Sequence, residues 1–187
     1  ASGSFEVDEK MGNNPEEIGR IKDNLISLMQ NEKFDLDSIV VTSSASPEGT
    51  VRFNERLSQK RSEGISEYFS KWMNHYQDSL ERERGFAVDE EGNIVVEKRT
   101  QIPMMGRSSG ENWQMLDRLV EKDTVMTEDE KKSYISSAEI MDIDQRERSL
   151  QNLGCYRHMR EKLYPHLRTV RFDFHLHRKG MVKDTVH

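Results

Sequence analysis

The stretch Val40-Val41-Thr42-Ser43-Ser44-Ala45-Ser46-Pro47-Glu48-Gly49, continued through Asn54, Leu57, Ser58 and Arg61 to Tyr76, decides how the chain is read. It runs from an apolar strand end through a polar turn into a long helix. Pro47 presets φ for a turn and Gly49 supplies a φ > 0 position, so Ser46-Pro47-Glu48-Gly49 stops the strand and re-aims the backbone. The first helical turns then point polar groups back at the turn, a geometry that can build a pocket.

Along this helix Leu57, Ile65, Tyr68, Phe69, Trp72, Met73 and Tyr76 are assigned to one apolar face, with Leu57 in the core. Arg61 falls at the edge of that face. A guanidinium there snorkels to solvent, pairs with a carboxylate such as Glu48 or Glu55, or meets an anionic ligand group. Gly64 costs a helix about 1 kcal/mol relative to Ala, which predicts close packing against a neighbour.

Upstream, Phe5 to Asp8 alternate as a short strand, Gly12-Asn13-Asn14-Pro15 breaks the pattern, and Ile18, Ile21, Leu25, Leu28 and Met29 recur at helical spacing. Phe34, Leu36, Ile39, Val40 and Val41 give the next strand, so the chain opens β-α-β with a right-handed crossover. Downstream, Phe86 to Val88 and Ile94 to Val96 flank Asp89–Asn93 as a hairpin, and Arg107-Ser108-Ser109-Gly110 reads as a loop. Four helices follow: one around Trp113 to Val120, one from the Thr127 capping box to Ser137, one from Asp144 to Leu153, and one from Tyr156 to Leu163, stopped near Pro165. Residues 111–163 thus form a helical insertion, weakly apolar and strongly charged. The closing Val170 to His177 alternates strictly and is a strand. Its polar face carries His175 and His177, which read either as metal ligands at i and i+2 or as residues of a solvated face; no metal site is assigned.

The 187 residues, 34% hydrophobic and 33% charged, suffice for one core, giving a single domain over 1–180 and a tail or linker over 181–187. A net charge of -6 argues against a nucleic-acid partner, because such a domain needs a basic face to displace counterions. The single cysteine, Cys155, allows no intrachain disulfide; it reads as a small buried hydrophobe or as a nucleophile, and no Cys-His-Asn signature surrounds it. No apolar run is long enough to span a bilayer, so no transmembrane segment is assigned. Nucleophile-elbow, His-Glu-x-x-His, P-loop and Rossmann patterns do not occur, so neither an enzymatic activity nor a cofactor is assigned.

Ser43 to Tyr68, above all Gly49, Asn54, Leu57, Ser58 and Arg61, resembles the peptidoglycan-associating domain of the OmpA, Pal and MotB family. That family's pattern is a strand, then Thr-Asp, two residues, Gly, and a helix with Asn, two residues, Leu-Ser, two residues, Arg. The β-α-β opening and the strand from Leu167 through Phe172 extend the resemblance to most of the chain outside Glu111 to Leu163. The Ala-Ser-Pro-Glu-Gly form, Glu111-Asn112-Trp113 and the insertion are similar to a variant found among envelope proteins of Bacteroides-type bacteria. The resemblance implies an α+β fold, a β-α-β-α-β sandwich with a mixed sheet of about four strands, two long helices on one face and the insertion before the last strand. It also implies a non-enzymatic domain on the periplasmic side of the outer membrane or in the cell envelope, tethering an outer-membrane or surface protein to peptidoglycan.

In the family, the arginine holds a carboxylate of the stem-peptide diaminopimelate and the aspartate takes the ammonium beside it, a zwitterion met by a cation and an anion. Carried over, this implies a peptidoglycan site at Ser46, Glu48, Gly49, Asn54 and Arg61. Here Ala45 and Ser46 stand where Thr and Asp belong. Ser46 accepts a hydrogen bond and supplies no charge, a loss of about 1.5 to 3 kcal/mol. Glu48, two residues along the same turn, is the candidate replacement anion. The alternative is an OmpA-like scaffold without peptidoglycan binding, whose insertion docks an envelope protein around Trp113.

Overall fold

The alternation that makes the last strand also fixes its place. A computed structural model describes residues 2–8, 15–85, 87–95 and 101–180, with the backbone path alone for 2–8. The Gly12–Asn14 break, Phe86 and Val96 of the expected hairpin, and the 181–187 tail lie outside the described residues. In chain order the elements are β1 Ser2–Asp8, α1 Pro15–Met29, β2 Phe34–Ala45, α2 Val51–Arg84, β3 Ala87–Val88, β4 Ile94–Val95, β5 Met104–Glu111, α3 Trp113–Lys122, α4 Glu128–Ser137, α5 Ile143–Leu150, α6 Tyr156–His158 and β6 Thr169–Arg178. A π-helical turn Met159–Leu163 and a 3-10 turn Tyr164–Leu167 join α6 to β6.

Four strands form one mixed sheet in the order β1-β6-β2-β5, with β2 and β5 parallel and the other two pairs antiparallel. The fold class is therefore α+β, as expected. Val170, Phe172 and Phe174 of β6 and Ile39 and Val41 of β2 face one way, and Ile21 and Leu25 of α1 with Phe69 and Met73 of α2 close over them. Phe69 meets Phe172 edge to face, with ring centroids 5.5 Å apart. Both long helices contribute to this one core, and the opposite face of β6 carries Arg171, Asp173 and His175.

Tyr68, assigned to the apolar face, is 46% exposed, and two further expectations for α2 fail. Its buried line is Asn54, Ser58, Ser62, Ser66, Phe69 and Met73, so Leu57 is not core but 42% exposed. Small polar residues at four-residue spacing let the helix backbone settle onto β5. The close approach occurs at Gly106, where a Cβ would lie 2.5 Å from the Glu63 backbone nitrogen. Gly64, by contrast, faces open space: a Cβ there would meet nothing within 4 Å. The buried serines stay satisfied because Ser58 donates to the Asn54 carbonyl at 2.8 Å, Ser62 to that of Gln59 at 2.8 Å and Ser66 to that of Ser62 at 2.7 Å.

The expected loop at Arg107–Gly110 is instead part of β5. Its Met-Met-Gly-Arg-Ser-Ser-Gly-Glu sequence has weak strand propensity, and parallel pairing with β2 under α2 overrides it. At the edge of β5 away from β2 the Gln59 side-chain amide stands in for a neighbouring strand: it accepts from the Ser108 N–H at 2.9 Å and donates to the Gly106 carbonyl at 3.0 Å. An unmet strand edge templates pairing with other chains. Gln59→Ala is therefore expected to cost about 1 kcal/mol and to raise light scattering on storage at unchanged helical content. The β3–β4 hairpin forms its own two-stranded sheet and is exposed.

The insertion is not weakly apolar. Leu116, Val120, Met126, Tyr134, Leu150, Cys155, Met159, Leu163, Tyr164 and Leu167 make a second buried cluster. The Thr127–Glu130 capping box forms as the sequence predicts, and α5 ends at Leu150 instead of Leu153. Cys155 is a buried member of this core, packed as a small hydrophobe, and burial pushes its thiol pKa up. Among the described residues no helix is long and apolar enough to cross a membrane.

Candidate functional site

The β2–α2 junction is built as its residues dictate. Gly49 takes φ 94°, the conformation that Ser-Pro-Glu-Gly requires. Thr50 then caps α2, its hydroxyl accepting from the Phe53 N–H at 3.3 Å. A second cap comes from the insertion: the Asp144 carboxylate accepts the Val51 N–H at 2.9 Å, setting a negative charge at the positive end of the helix.

Arg61 lies about two turns past Asn54, and its Nη1 donates to the Ser44 carbonyl at 3.2 Å, so the guanidinium reaches back to the end of β2. Ser44 itself locks β2 to the start of β6, donating to the Leu167 carbonyl at 2.6 Å and accepting from the Thr169 N–H at 3.0 Å.

Ser46 and Glu48 are gathered by one cation. Arg168 Nε donates to Ser46 Oγ at 3.1 Å and Arg168 Nη2 to Glu48 Oε2 at 2.7 Å. Arg160 stands 4.0 Å from the other Glu48 oxygen. Ser46 is buried, while Glu48 keeps a third of its side chain in solvent.

Asn54 points elsewhere. Its Nδ2 donates to Glu111 Oε1 at 2.6 Å, and the Trp113 indole donates to Glu111 Oε2 at 2.9 Å. Glu111 was visible in the sequence only within the Glu111-Asn112-Trp113 signature. That tripeptide ties the insertion to the sheet: the Asn112 N–H donates to the Ala45 carbonyl at 2.9 Å, and its side chain caps α3. Burial pushes the Glu111 carboxyl up, the Asn54 and Trp113 bonds pull it down, and the charges of Asp144 and Glu147 add to the rise.

The raised carboxyl gives a signed pH effect. The folded state holds this proton to higher pH than the unfolded chain, so stability falls as pH rises from the ordinary value of 4.5 through the raised one. The melting temperature of Glu111→Gln relative to the wild type is expected to climb over that window and then level off; a flat difference contradicts it.

Of the five residues the sequence proposes, Ser46, Glu48 and Gly49 share the turn, Arg61 reaches its strand side, and Asn54 anchors the insertion. Arg168, Asp144 and Glu111 are the partners that sequence pattern missed, because each comes from a distant part of the chain. His177 Nδ1 is 2.6 Å from an Asp37 carboxylate oxygen, His175 is exposed, and among the described residues no group of three or more His, Cys, Asp or Glu could hold a metal. An open polar groove runs between α2 and the β5 edge, lined by residues including Arg56, Lys60, Glu63 and Ser109.

No model of a known protein family matches the sequence, and no curated protein matches it. The structure shows an α+β class with a mixed sheet.

Proposed function

We propose that the chain is an OmpA-like, non-enzymatic domain of the cell envelope that holds an outer-membrane or surface protein to the diaminopimelate-bearing stem peptide of peptidoglycan. The observation that carries this reading is the placement of Arg61. α2 returns its guanidinium to the end of β2, beside a turn that bears an acidic side chain. A bidentate cation suits the ligand carboxylate, and Glu48 suits the ammonium. Because Glu48 already meets Arg168, the ammonium shares that carboxylate, and affinity is modest. Co-sedimentation with purified sacculi tests this. The domain is expected to pellet with diaminopimelate-type sacculi and to stay in solution with lysine-type sacculi; equal behaviour with the two contradicts it.

One observation favours a second reading. Ser46 and Glu48 are occupied by Arg168, Asn54 by Glu111, and the α2 N-terminus by Asp144. A turn so fully engaged by its own chain suits a scaffold that uses the insertion to dock an envelope protein. On that reading neither type of sacculus is bound, and pull-down from envelope extract is lost when exposed Ile135 and Met141 are changed to serine.

A further inference from the structure

We propose that α2 carries a self-association surface on which two copies of the chain pack as antiparallel helices about a two-fold axis. The inference starts from Gly64. A mid-helix glycine weakens a helix, and the usual compensation is a close neighbour. Among the described residues there is no such neighbour, since a Cβ at Gly64 would meet nothing within 4 Å.

Gly64 lies instead in an exposed apolar stripe. Phe53, Leu57, Gly64 and Tyr68 follow one another at spacings of four, seven and four residues and so share one face of α2. Phe53, Leu57 and Tyr68 are 60%, 42% and 46% exposed. Gly64, between Leu57 and Tyr68 in the stripe, lets a second helix backbone approach.

The charges beside the stripe select the occupant. Arg56, Lys60, Glu63 and Glu67 line one flank in that order, cations first and anions after. A two-fold axis that reverses the helix direction brings like flanks together. With the crossing midway between Arg61 and Ser62, Arg56 of one copy stands opposite Glu67 of the other, and Lys60 opposite Glu63. Tyr68 then enters between Phe53 and Leu57 of the second copy. Glu63 and Glu67 now bond Gln59 and Lys71 on the exposed helix surface, at 2.8 and 2.6 Å, so docking exchanges one solvent-exposed partner for another. The charge order fits a second copy, because the pattern is its own complement under reversal. None of this depends on what the turn binds.

Sedimentation equilibrium of the full chain from low micromolar to millimolar concentration tests the surface. The wild type is expected to show a reversible monomer–dimer equilibrium. Gly64→Glu is expected to be monomeric throughout and to melt higher than the wild-type monomer, since it places a better helix former in open space. Arg56→Glu is expected to weaken the dimer about tenfold, and adding Glu67→Arg to restore it. A wild type monomeric over the whole series, a Gly64→Glu variant that still dimerises, or a charge reversal without restoration each overturns the proposal.

Discussion

Gly106→Val is expected to be among the most damaging single changes in the protein, costing about 3 kcal/mol or more. A Cβ at position 106 lies 2.5 Å from the Glu63 nitrogen and 2.6 Å from the Ser62 carbonyl carbon, both backbone atoms within α2. Neither side can yield by a rotamer change. The helix must lift off β5, and the buried Ser58, Ser62 and Ser66 line then loses its partner surface. Denaturant unfolding measures the effect. Gly64→Ala supplies the contrast: in a dilute, monomeric sample it is expected to stabilise by about 1 kcal/mol, because the same added methyl group meets nothing within 4 Å. Equal effects at the two glycines would contradict the placement of α2.

A second large effect belongs to Phe172→Ala, expected to cost about 3 to 5 kcal/mol. Phe172 is fully buried at the centre of β6 and meets Phe69 of α2 edge to face at 5.5 Å. Its removal opens a cavity where the strand, α1 and α2 converge, and a rigid sheet on one side limits collapse. Leu57→Ala is the matched control. The helical pattern alone makes Leu57 a core residue, yet it is 42% exposed, and truncating it is expected to cost no more than about 1 kcal/mol. Thermal or denaturant melts of both variants at low concentration give the ratio directly.

These pairs also show how far the sequence could be read. β6 was legible because strict alternation has one common interpretation, and the α4 start because a capping box is a local, self-contained signal. β5 was not legible: Met104–Glu111 becomes a strand through pairing with β2, and no local propensity announces a non-local partner. The buried face of α2 was misread for a related reason. Hydrophobic periodicity marks where oil is buried, whereas the first half of α2 buries serines that satisfy themselves against their own helix. The turn fared better than its surroundings. Gly49 and the return of Arg61 toward β2 follow from a short run of sequence. The grip of Arg168 on Ser46 and Glu48, the Asp144 cap and the Glu111 bridge span 57 to 122 positions, beyond the reach of pattern.

That same network frames the functional claim. On the proposed peptidoglycan reading, Ser46 carries no charge, so Glu48 is assigned the anion of the zwitterion clamp and Arg61 the cation. Removing a charge-assisted contact of this kind costs about 1.5 to 3 kcal/mol, roughly tenfold to more than a hundredfold in affinity. The most direct measurement is a calorimetric titration of a soluble muropeptide containing meso-diaminopimelate into the wild type and into Arg61→Ala, with circular dichroism to verify that the variant keeps its fold. Saturable binding to the wild type that disappears in a folded Arg61→Ala is the predicted result. No binding to the wild type at millimolar ligand, or equal affinity for the two proteins, would contradict it.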